Sequence, residues 1–239
     1  VSQVEIQGVF IGKAEDIGGG LSCAQRKQRV DHRLWLWPQG LGQDEQGDAR
    51  FHGGPERALH HYPVEHYAYW QALYPELPWP LASFAENLSS RGLTEEQVCI
   101  GDIFRWGDVL LQVSQPRSPC YRLNRLGAHP ELAQVVQDSG RCGWFYRVLK
   151  PGFVSAENPF ELVQRSYPSL SVAQALHHFY HFPMERAGLQ QLQLCPALSA
   201  RWREAASQRL RTGRLEDWSA RLQGLPLEGA LAREGLRYA

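Results

Sequence analysis

Residues 114 to 124 read SQPRSPCYRLN and place Cys120 directly after a Pro-Arg-Ser-Pro run, with Arg122 and Arg125 following. Pro116 and Pro119 fix φ and stiffen the loop. Arg117, Arg122 and Arg125 make a positive neighbourhood, which stabilises a thiolate, the form that attacks carbon and binds metal. Three uses stay open for Cys120: a small buried hydrophobe, a nucleophile, or a ligand for a soft metal.

A second stretch able to do chemistry is FHGGPERALHHYP. His52 is followed by Gly53, Gly54 and Pro55, then Arg57. Backbone N–H groups of such a turn, with an arginine beside them, can cradle an anion; a tight turn without a ligand reads equally well. Neither GxxxxGK[ST] nor GxGxxG occurs, so no nucleotide-binding fold is indicated. FAENLSSRGL carries Glu86 and Asn87 between apolar residues, where a buried acid and amide need partners. They would brace the turn or read a polar ligand. HHFYH sets His177 and His181 one helical turn apart, but His178 stands where a zinc protease needs Glu, which favours a solvated helix face. His60 and His61 lack a partnered cysteine for zinc.

These residues must be positioned by mostly short strands. VEIQGVFIGK alternates, with Gly8 as a bulge. GDIFRWGDVLLQVSQP reads as a hairpin turning at Trp106-Gly107-Asp108, with Val109, Leu111 and Val113 on its buried face. GWFYRVLKPGFVSAENPFELVQR gives two or three more strands, with Pro151-Gly152 as a turn. Gly and Pro between several short strands suggest a barrel or sandwich. One helix is expected after Pro63, taken as its first residue and ending before Pro75, and another near residues 131–139. Beyond Arg165 the pattern becomes helical. Ser171 and Gln174 form a capping box. A second helix carries Leu198, Trp202 and Ala205 on one face and stops at Gly213; a third carries Leu215, Trp218 and Leu222. A tail of low regularity follows from Pro226.

The chain has 239 residues, 43% hydrophobic and 21% charged, with a net charge of +0. That suits a soluble globular protein with no general affinity for nucleic acid. No apolar run is long enough to span a membrane. The opening VSQVEIQGVFIGK alternates like a strand and does not read as a signal peptide, and the lack of an initiator Met reads as processing or trimming. Five cysteines at scattered spacing, none in CxxC, argue for a reducing, cytoplasmic setting.

Taken together, FHGGPERALHHYP, FAENLSSRGL, GDIFRWGDVLLQVSQPRSPCYRLN and GWFYRVL resemble the MOSC-domain family, named for the C-terminal part of molybdenum cofactor sulfurase. The resemblance is nearest to its YiiM group, the 6-N-hydroxylaminopurine reductases. It implies a mixed, mainly β fold: a β-barrel-like MOSC domain with interspersed helices over residues 1–165, and a small C-terminal three-helix subdomain over 166–239. It also implies the molybdenum cofactor (molybdopterin), with Cys120 as catalytic residue and metal ligand. Cofactor-binding candidates are His52, Gly53, Gly54, Arg57, Asn87, Arg117, Ser118 and Arg122. The implied reaction takes N–OH to N–H by two electrons in a small N-hydroxylated substrate, with electrons from a flavoprotein reductase. The helical tail leaves room for a homodimer. Relatives carry Gly where Ala85 stands, and a positive φ there would cost alanine about 1 kcal/mol. Competing readings are a non-catalytic cofactor or sulfur carrier, a cysteine hydrolase with His52 as base, and a protein-interaction module.

Overall fold

The computed structural model describes residues 4–16, 22–24, 26–45, 53–127 and 129–224. The expected tail from Pro226 lies outside them.

Alternating side chains produce an eight-stranded sheet. Its strands, in spatial order, are β13 (Phe160–Gln164), β9 (Ile103–Trp106), β10 (Val109–Pro116), β11 (Trp144–Lys150), β7 (Leu59–Pro63), β8 (Leu88–Arg91), β1 (Glu5–Gly12) and β4 (Lys27–Val30). Only β7 and β8 run parallel; the other neighbours are antiparallel. Among the described residues β4 and β13 do not pair, so the sheet is a half-barrel. β5 (Leu34–Trp37), β6 (Gly40–Leu41) and β12 (Gly152–Val154) form a separate three-stranded sheet, and β2 (Glu15–Asp16) pairs with β3 (Ser22–Cys23).

The hairpin expected at Gly107-Asp108 is present, with Trp106 opposite Val109. Val109, Leu111 and Val113 are fully buried. The register of β1 against β8 shifts between Ile6 and Gly8, where a bulge was expected. Three strands follow Gly143, within the two or three expected, and Pro151 is where the chain leaves one sheet for the other.

Pro63 does not open a helix. It is the last residue of β7, opposite Ser90, and α1 (His66–Leu73) begins three residues later. A strand end suits proline because its missing N–H is not needed there. Two further helices, α2 (Arg122–Leu126) and α3 (Leu132–Ser139), follow β10.

The C-terminal region starts with α4 (Val172–Leu176), whose capping box forms as expected: Ser171 and Gln174 bond each other's backbone N–H. The helix then widens into a π turn at His177–His181. There Phe179 and Tyr180 both point inward while His177 and His181 are exposed. α5 (Arg186–Leu194) was not anticipated. α6 (Ala200–Thr212) ends at left-handed Gly213 and buries Trp202, Ala206 and Arg209; Leu198 precedes it and Ala205 is only half-buried. The last expected helix is much shorter. α7 spans only Ser219–Gln223, and Leu215 is exposed. The stretch before it is not helical, and Glu216 folds back onto buried Arg209, 2.9 Å from its Nε. One apolar core runs without a break from the sheet into these helices.

Candidate functional site

β10 ends at Pro116 and delivers the cysteine loop. Arg117 N–H donates to the Gly143 carbonyl at 3.0 Å, and Leu123 N–H donates to the Cys120 carbonyl at 2.9 Å. Gly143 is itself fixed. Its φ is +69°, a Cβ would fall 2.3 Å from the His61 carbonyl, and its N–H donates to buried Glu95 at 2.7 Å. Cys99, Cys142 and Cys195 are buried, and burial pushes their thiols up; Cys120 is half-exposed. Among the described free cysteines, Cys120 is therefore the one within reach of a ligand.

The glycine-rich turn comes to the same place. Pro55–Arg57 form one 3₁₀ turn, entered through Gly54 at φ +98°. Among the described residues a Cβ at Gly54 would meet nothing within 4 Å, so the backbone faces open space. Glu56 locks the turn. Its carboxylate takes Arg147 at 2.8 Å and caps α6 at Ala200 N–H at 3.0 Å, while its carbonyl accepts the Ser114 hydroxyl at 2.6 Å. Burial holds the Arg57 guanidinium below its ordinary pKa, opposed by the nearby Tyr180, Cys120 and Glu56. Arg57, Cys120 and Tyr180 are thus electrostatic neighbours, although 63 positions separate Arg57 from Cys120.

Arg117 is 7% exposed. Among the described residues it makes no ion pair, and its buried Nη1 has no hydrogen-bond partner. A buried cation without an anion is costly, and a bound anionic group would relieve that cost. His60 lies close enough that burial and the charge of Arg117 together hold it neutral. Arg122 is also buried and opens α2.

The remaining candidates fall into different roles. Ser118 Oγ accepts the Tyr180 hydroxyl at 2.8 Å. Asn87 is occupied by the protein itself: Nδ2 donates to the Phe10 carbonyl and to Asp44, and Oδ1 accepts from His60 N–H. Glu86 is likewise a brace, accepting from Ala82 and Phe84 N–H, the Tyr67 hydroxyl and the Ser89 hydroxyl. His52 lies outside the described residues. His61 is buried, bonded to Tyr146 and Ser90 hydroxyls. Among the described residues no group of three or more His, Cys, Asp or Glu side chains could hold a metal. A cleft of about 310 Å³ lined by Trp37, Gln39, Gly40, Leu41 and Asp44 contains none of the expected site residues.

Two residues at the loop were not foreseen. Tyr180 was hidden among the histidines of HHFYH, and Arg221 in a helix read only for its apolar positions. Arg221 donates to the Pro119 carbonyl, and through Nη2 to Gln137 Oε1 at 2.6 Å. The visible signal was an arginine adjoining the apolar face at Leu222.

The fold is a half-barrel whose strand end presents, among the described free cysteines, one half-exposed thiol beside arginines, with a helical extension bonded to the same loop. A profile of the MOSC domain matches residues 48–161, and one of the YiiM-like 3-alpha helix domain matches residues 170–213. Protein YiiM of Escherichia coli (strain K12) is 44% identical over 218 residues, spanning 90% of this chain and 97% of that one. The crystal structure of YiiM from Escherichia coli superposes with a TM-score of 0.78 at 39% identity, covering 94% of this chain and 100% of that chain. A reductase of Gibberella moniliformis is 39% identical over 159 residues, which is 65% of this chain but 28% of its own length. The chain belongs to the YiiM-like proteins of the MOSC family.

Proposed function

We propose that the protein reduces N-hydroxylated compounds, 6-N-hydroxylaminopurine and related bases among them, with molybdopterin-bound molybdenum held by Cys120. The observation that carries this is the pairing of a half-exposed Cys120 beside Arg57 with a buried Arg117 whose Nη1 has no partner among the described residues. A soft thiolate suits molybdenum, and arginine suits a phosphate. The residues present therefore fit the cofactor. When bound, the cofactor supplies the two-electron exchange that takes N–OH to N–H.

The chain's own contributions are binding and exclusion. Cys120 Sγ would hold the metal. Arg117 and Arg57 would hold the cofactor's phosphate, with Arg122 and the backbone N–H groups of Gly53 and Gly54 adding to the positive cradle. His60, kept neutral beside Arg117, adds no competing cation. Asn87 and Ser118 act by holding backbone and loop. Electrons would come from a flavoprotein reductase that docks transiently, in the cytoplasm.

The test is molybdenum content of anaerobically purified protein, wild type beside Cys120→Ala, with reduction of 6-N-hydroxylaminopurine by dye-reduced samples. Near-stoichiometric metal and reduction in wild type, with reduction lost in the variant, support the reading. Metal without reduction supports a carrier. No metal from a cofactor-competent host overturns it.

A further inference from the structure

The helical region clamps the cysteine loop from both sides of Cys120. Before the cysteine, Tyr180 donates to Ser118 Oγ at 2.8 Å and Arg221 donates to the Pro119 carbonyl. After it, Tyr121 N–H donates to the Arg221 carbonyl at 2.8 Å, and Asn124 Nδ2 donates to the Leu222 carbonyl at 3.0 Å. Arg221 is 5% exposed. Its guanidinium lies 5.3 Å from the Tyr180 ring and 5.9 Å from the Trp218 ring, and Gln137 takes its Nη2. Buried arginines usually sit opposite a carboxylate; this one is spent on a main-chain carbonyl and an amide. Among the described residues its hydrogen bonds all serve the loop and the helix α3 behind it. Arg209, as deeply buried in the same region, has a carboxylate partner, Glu216, besides the Phe179 and Pro183 carbonyls.

We infer that Arg221 and Tyr180 are positioning residues for Cys120, and that the C-terminal helices exist in part to hold that loop in one conformation. The functional consequence rests on Cys120 being a ligand, since a single protein ligand must be pre-organised to keep its metal. The positional claim does not rest on it.

The experiment is alkylation of Cys120 by iodoacetamide in the full chain free of cofactor, followed residue by residue by mass spectrometry. Arg221→Ala is expected to speed alkylation of Cys120 about tenfold, the effect of losing a charge-assisted bond that opposes local opening. Tyr180→Phe keeps the ring and loses only the hydroxyl bond, for a gain of roughly threefold. Arg221→Lys, which can still reach the Pro119 carbonyl, is expected to recover part of the protection. Arg203→Ala should leave the Cys120 rate within about twofold of wild type, because the Arg203 side chain bonds the Leu198 carbonyl and, among the described residues, nothing in the loop. Unchanged Cys120 rates in Arg221→Ala and Tyr180→Phe overturn the inference. So does an equal rise at Cys99, Cys142 and Cys195, which reports general loosening. If Arg221→Ala does not fold, Tyr180→Phe decides alone. Because no cofactor is present, failure of the reductase reading leaves these outcomes intact, and the molybdenum assay on Cys120→Ala reports that failure separately.

Discussion

Lys27 Nζ lies 2.8 Å from both carboxylate oxygens of Asp44, and each side chain is 7% exposed. Asp44 also accepts from Gly12 N–H at 2.7 Å and Asn87 Nδ2 at 2.8 Å. The pair therefore joins the end of β1 and the start of β4 to Asn87, which in turn holds the His60 N–H. Asp44→Asn would leave the ammonium buried without its counter-charge, at an expected cost of about 3–5 kcal/mol. The double variant Lys27→Met, Asp44→Leu should cost clearly less than the two single changes summed. Urea unfolding of wild type, Lys27→Met, Asp44→Leu and the double variant measures this; simple additivity would show that the two groups do not stabilise each other.

Arg117 makes the opposite prediction. Among the described residues its buried Nη1 has no hydrogen-bond partner, so the cation already costs the free protein something. Arg117→Met keeps the volume and removes the charge. Unfolding free energy without cofactor is expected to stay level or rise by about 1–2 kcal/mol, while molybdenum retained through purification falls. A large loss of stability, or undiminished metal content, would rule out Arg117 as the residue waiting for an anion.

Separation along the chain decides which features are legible in the sequence. Local signals were legible: the alternation that buries Val109, Leu111 and Val113, the Gly8 bulge, and the Ser171 capping box all follow from near neighbours. So was Cys120, whose Pro- and Arg-rich surroundings lie within a few positions. Contacts across long separations were not. Arg221 reaches Pro119 over 102 positions and Arg147 reaches Glu56 over 91, and no spacing rule encodes either. Asn87 was legible as a residue in need of partners, but only the fold shows that Phe10, Asp44 and His60 supply them. The final helix is shorter than the helical spacing of Leu215, Trp218 and Leu222 implies, because Glu216 is drawn back to pair with Arg209 and the segment before Ser219 is not helical.

Ala85 does adopt the conformation suspected from its place in FAENL, with φ +58°, and Ala82 has φ +70°. The turn persists because the Glu86 carboxylate binds the N–H groups of Ala82 and Phe84 at 2.8 and 3.1 Å. Left-handed geometry costs an L-residue roughly 1–2 kcal/mol, partly offset by glycine's greater freedom when unfolded. Ala85→Gly is expected to raise stability by about 0.5–1 kcal/mol, seen as a higher Tm with unchanged molybdenum content. A lower Tm would mean that the alanine methyl contributes packing greater than the strain.

His61 sets an acid limit. Burial lowers its pKa to about 3, and both ring nitrogens are bonded to hydroxyls, of Tyr146 and Ser90, that suit the neutral ring. Burial also drives His60 well below its ordinary value. With the folded pKa depressed, the unfolded chain binds the extra proton, so stability is complete above the unfolded pKa near 6.5 and is lost as pH falls toward the folded value. Each such histidine contributes a slope approaching about 1.4 kcal/mol per pH unit across that window. Urea unfolding at pH 7, 5.5 and 4.5 should show wild type losing stability steeply, and His61→Gln, destabilised at pH 7, losing it with a slope shallower by about that amount. Parallel slopes in the two proteins would mean that His61 takes up its proton without unfolding, and that the hydroxyl pair around it, not its neutrality, is what the fold requires.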